Sequence, residues 1–191
     1  MIEMVVVLAI ISIVAATAIA TLGNLKGRVS FTSASTEVVS GLRLARATAL
    51  GRATPTAFMI DSVGGRWWAI EAPVGLSVTT FNPSSPGTVI SSGVLPSGIS
   101  FGPSAGYGRA LAAPLSGVPV MPAQSPSLPY CSFCVSSGMG MIRFETGARA
   151  TFSAGPDTVG QQFSMTGLLN GVRRTMVVAI VGRTGATYDF E

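Results

Sequence analysis

Apolar positions recur along the chain on three different periods, and each predicts a different element. The first stretch, MIEMVVVLAIISIVAATAIATL at Met1–Leu22, is apolar all round. From Met4 to Leu22 it holds no charge, and its only polar side chains are the hydroxyls of Ser12, Thr17 and Thr21. About 19 such residues at ~1.5 Å each come close to the ~30 Å hydrocarbon thickness of a bilayer. Residues 1–22 are therefore expected to form a transmembrane or assembly helix. Over Glu37–Arg52 the period changes to three and four: Val38, Leu42, Ala45 and Ala49 form one stripe, with Arg43, Arg46 and Arg52 off it. Residues 23–53 are expected to continue the helix and pack it on a domain. Gly23 and Gly27 weaken the junction, Lys26 and Arg28 mark an interface, and Thr54-Pro55 stops the helix, because the residue before proline resists the α region.

Beyond Thr56 the period shortens to two. Thr56–Asp61 (TAFMID), the turn residues Ser62–Gly65 and Arg66–Glu71 (RWWAIE) predict a β-hairpin. Adjacent Trp67 and Trp68 must face opposite sides of their strand, one toward the core and the other under a loop or toward a partner. Short apolar pieces at Leu76–Phe81, Thr88–Ile90 and Gly98–Phe101 suit further strands, and Gly102–Pro129 is a Gly/Pro-rich insertion too long for an ordinary connection. The expected fold is α+β: a long N-terminal α-helix, with a membrane half and a packed half, followed by a β-rich globular domain of antiparallel strands over residues 54–191.

Composition narrows the function. Charged residues are only 10% of the chain and apolar ones 48%, which suits a membrane-anchored, exported protein. A secretory signal would open on basic residues, yet no Lys or Arg precedes Lys26, and neither a signal nor a plain anchor accounts for Glu3. A carboxylate beside hydrocarbon is costly unless a cation meets it, so Glu3 is a candidate functional residue. With no His there is no Ser-His-Asp arrangement, the 8 acids are scattered, and no phosphate-loop pattern appears. No enzyme, metal site or cofactor is expected. Cys131 and Cys134 (CSFC) are the only cysteines. Neither a redox motif at a helix start nor a second half of a zinc site accompanies them, and a short disulfide outside the cytosol is the default.

The string IEMVVVLAIISI at Ile2–Ile13 resembles the N-terminus of type IV pilins and pseudopilins. Leu42–Arg52, Met141–Phe144 (MIRF) with its following Gly147, and Arg174–Val181 (RTMVVAIV) with Gly182–Gly185 resemble the GspH/FimT branch of that family. In the family a peptidase cuts after a glycine and the mature chain opens on a methylated Phe-Thr pair. Those residues do not precede Met1, and processing is implied by the resemblance alone. The resemblance implies that Glu3 meets the N-terminal amine of a neighbouring subunit and sets filament register, with Met4, Val7, Leu8, Ile11 and Val14 packing against other pilin helices. It implies a minor pilin of a type IV pilus, or a type II secretion pseudopilin, held at the bacterial inner membrane with its domain in the periplasm. Implied partners are other pilins and minor pilins, the inner-membrane assembly platform and a tip adhesin. Some relatives bind DNA through arginines near the C-terminus. Nucleic acid is thus the competing partner, with Arg173, Arg174 and Arg183 as its candidate contacts.

Overall fold

The computed structural model describes residues 2–102, 131–135, 137–147, 149–153, 160–169 and 172–190, without the side chains of 2, 9, 16–26, 169 and 190. The Gly/Pro-rich insertion expected within Gly102–Pro129 therefore lies, past Gly102, outside the described residues. One helix, α1 (Ile2–Arg52), precedes nine strands. These are β1 (Thr56–Asp61), β2 (Arg66–Glu71), β3 (Val89–Val94), β4 (Ile99–Phe101), β5 (Met139–Phe144), β6 (Ala150–Phe152), β7 (Gln161–Leu169), β8 (Val172–Ile180) and β9 (Thr187–Phe190).

This corrects the expected architecture. The protein is mostly antiparallel sheet, and the side chains of α1 are described over 3–8, 10–15 and about 26 residues at 27–52. The expected division of the helix into a membrane half and a packed half does not hold for its described residues, of which only about 26, at 27–52, belong to the stretch that packs on the sheets. The longest apolar stretch whose side chains are described, within residues 3–15, rises only ~20 Å, short of the ~30 Å of a bilayer core. Among the described residues no helix is long and apolar enough to cross a membrane.

The strands form two sheets, ordered β3-β2-β1-β5-β6 and β4-β7-β8-β9. The hairpin of β1 and β2 pairs Thr56 with Glu71 through to Asp61 with Arg66, the register set by the Ser62–Gly65 turn. Asp61 closes that turn by accepting from the amides of Val63 and Gly64. Leu76–Phe81 is not a strand but a turn-rich loop. Ser77 and Thr80 bond each other's amides there, a local alternative that competes with ladder pairing.

The C-terminal part of α1 and the facing sides of both sheets enclose one core, with Phe31, Val38 and Leu42 on the helix, Phe58 and Trp67 on the first sheet, and Phe163 and Met165 on the second. Glycine allows the closest approaches: a Cβ on Gly41 would lie 2.6 Å from Cη2 of Trp67, and one on Gly167 would lie 2.7 Å from Cδ2 of Phe31. The Thr56 hydroxyl donates to the Ala45 carbonyl at 2.8 Å, tying β1 to the helix. Trp68 points the other way. It packs edge-on to Phe81 at 5.3 Å, in a second cluster with Met59, Ile70 and Met141.

Candidate functional site

Three surfaces account for the residues singled out from sequence. The first is the N-terminal stretch. Glu3 lies in the first turn of α1 and is exposed. Met4, Val7, Leu8, Ile11 and Val14 are between 51% and 71% exposed. Val5, Val6, Ile10 and Ile13 are as exposed as these five. The apolar surface thus runs round the helix instead of along one seam, and a three-and-four spacing picked out only part of it. Ser12 does not interrupt it, because its hydroxyl donates back to the Leu8 carbonyl at 2.7 Å.

The second surface concerns the arginines. The structure separates the expected trio. Arg173 and Arg174 stand at the start of β8, opposite Leu168 and Gly167 of β7. Arg183 lies beyond the other end of that strand, in the turn leading to β9. Six residue steps of extended chain, ~20 Å, separate Arg174 from Ile180. Two arginines that the sequence did not connect with Arg183 reach the same turn. Arg46 donates from Nε to the Thr184 carbonyl at 3.2 Å, and exposed Arg149 adjoins Ala150, whose amide bonds the Gly182 carbonyl at 2.8 Å. Arg43 joins from the next turn of the helix, with its Nη2 2.7 Å from Oδ1 of Asp189. A groove of about 330 Å³ begins at this pair and runs along Thr32, Ser35, Thr36, Val39 and Ser40 of α1 to Met176. The signal that could have found this grouping was the spacing of Arg43 and Arg46 on the exposed side of the helix stripe.

The third is the cysteine pair. Cys131 and Cys134 are joined and buried, with Cα atoms 5.1 Å apart. Cys131 bridges to Phe163 of β7, and the Ser132 amide donates to the Gln162 carbonyl at 3.0 Å. Between them Phe133 meets Phe163 and Phe152 at 6.4 and 5.7 Å, so the segment wedges between the two sheets. Gly140 faces both sulfurs: a Cβ there would sit 3.0 Å from each Sγ. Among the described residues no group of three or more His, Cys, Asp or Glu is arranged to hold a metal.

No family model matches the chain, and neither a curated protein nor a solved structure matches it.

Proposed function

We propose that the chain is a minor subunit of a type IV pilin-like filament, acting in priming or at the tip and held at the bacterial inner membrane before assembly. The observation that supports this most is the N-terminal stretch: nine large aliphatic side chains from Met4 to Val14 are each at least half exposed, with a single carboxylate, Glu3, at their head. A helix apolar on every side needs an apolar environment on every side. Equivalent helices of neighbouring subunits supply it, and a neighbour's N-terminal amine supplies the charge for Glu3. The resemblance of Ile2–Ile13 to pilin N-termini points to the same assembly. The folded part then serves as a head carried by that stretch.

The test is incorporation. Glu3→Ala is expected to leave the level of the protein in the cell unchanged and to lower its amount in sheared filaments by tenfold or more. Quantitative blotting against the most abundant subunit reads both the loss and the low copy number. Wild-type incorporation of the variant, or a wild-type stoichiometry near that of the main subunit, refutes the proposal.

A further inference from the structure

We infer that the end of the domain built by Arg28, Val29, Leu168, Val172, Arg173 and Arg174 is a binding surface for an anionic phospholipid bilayer. This goes beyond the filament reading and does not rest on it.

The topology gathers these residues from three segments. Phe31 of α1 packs on Gly167, and Gly167 is the cross-strand partner of Arg174. Arg28 and Val29 lie within one turn of Phe31 and are exposed. On β8, Met176, Val178 and Ile180 belong to the core, so by alternation Val172 and Arg174 stand on the same helix-facing side, past the end of the packed region. Leu168 and Arg173 are paired on the opposite side of the same hairpin. Three guanidinium groups thus ring one end of the domain. Between them Val29, Leu168 and Val172 are 67%, 61% and 63% exposed.

Charge complementarity selects the occupant. The described ion pairs, Arg43–Asp189, Arg52–Glu71 and Arg143–Glu145, lie elsewhere and use none of these three arginines. The next carboxylate along the helix, Glu37, lies at the far end of the groove that Arg28 and Val29 open, with its Oε1 2.6 Å from where a Cβ on Gly93 of β3 would lie. Interleaved cations and aliphatic side chains fit a headgroup layer, where arginine meets phosphate while valine and leucine reach the acyl boundary. Nucleic acid fits less well. It would leave three exposed aliphatics against a hydrated polyanion, and among the described residues the exposed ones of this end include no aromatic ring on which a base could stack. This end is also where the chain enters the folded part from its apolar N-terminal stretch, so both would meet one lipid surface together.

The full chain is tested by flotation with vesicles of phosphatidylcholine alone and with 30% phosphatidylglycerol. The apolar N-terminal stretch contributes to both, so the ratio of the two affinities is the readout. Each basic residue near an anionic surface contributes about fivefold. The triple variant Arg28→Gln, Arg173→Gln, Arg174→Gln is expected to lose about a hundredfold of the preference for the anionic vesicles. The matched triple Arg46→Gln, Arg149→Gln, Arg183→Gln removes the same charge from the opposite end and is expected to lose less than threefold. Lysine at positions 28, 173 and 174 restores the preference. Equal affinity of the wild type for both vesicles, equal losses in the two glutamine triples, or failure of the lysine variant each overturns the inference. Tight binding of a short DNA duplex through Arg28, Arg173 and Arg174 without anionic-vesicle preference overturns it too and assigns the surface to nucleic acid.

Discussion

Alanine at Gly41 and alanine at Gly51 are the same substitution on the same helix, and they should move stability in opposite directions. In an exposed helix interior, Gly→Ala gains about 0.5–1 kcal/mol from backbone entropy and helix propensity. At Gly51 nothing lies within 4 Å of the new Cβ, so that gain should appear unopposed. At Gly41 the new methyl meets Cζ3, Cη2 and Cε3 of Trp67. The indole cannot retreat. It is 1% exposed, it stacks on Phe58 with centroids 5.6 Å apart, and Gly93 lies against its Nε1 and Cε2 atoms. Overpacking of this kind costs about 1–3 kcal/mol, and a fully buried, closely packed ring belongs at the upper end. Subtracting the propensity gain leaves Gly41→Ala destabilised by about 2 kcal/mol. For a chain of this size that corresponds to a melting temperature lower by ~4–8 °C, against a rise of ~1–3 °C for Gly51→Ala. Thermal unfolding followed by far-UV circular dichroism reads both. The packing of α1 on β2 described above is refuted if Gly41→Ala is as stable as the wild type or gains stability like Gly51→Ala.

Two further outcomes follow from local geometry. Ala53, just past the end of α1, has a φ of 50°, a left-handed conformation that costs a residue with a Cβ about 1–2 kcal/mol, so Ala53→Gly should raise the melting temperature by a few degrees, and a fall would show that the helix ends otherwise. The Cys131–Cys134 crosslink closes a loop of only four residues, worth about 2 kcal/mol in chain entropy; reduction should lower the melting temperature by ~4–8 °C, and free thiols in protein purified without reductant would contradict the pairing.

Several elements were legible because one residue type decides them locally. Thr54-Pro55 limits α1, and the Gly-containing turn at Ser62–Gly65 fixes the hairpin whose strands run over Thr56–Asp61 and Arg66–Glu71. The stripe Val38, Leu42, Ala45 and Ala49 is buried as its spacing requires. Leu76–Phe81 misled for an equally local reason: its apolar residues suggested a strand, but Ser77 and Thr80 satisfy the backbone within the loop, and Phe81 is used to cover Trp68. The apolar N-terminal run misled through its uniformity. Composition shows that such a run avoids water, but it holds no period from which to read how far one helix extends or what lies against it.

The arginines show a different limit, one that bears on function. In sequence, Arg173, Arg174 and Arg183 lie close enough to suggest one patch. A strand converts that spacing into distance, and an antiparallel fold then regroups each end with partners remote in sequence. Arg183 joins Arg46 and Arg149, more than 30 residues away in the chain, where a backbone carbonyl already engages one guanidinium. Arg174 comes instead beside the segment of α1 that carries Arg28, because Gly167 lets Phe31 approach the sheet. A single Cβ at Gly167 would push the helix away and part Arg28 from Arg174. The packing of α1 and the basic end of the domain are therefore one structural fact. Glycine at 167 thus sets how closely the first packed turns of α1 approach the end of the sheet that carries Arg174.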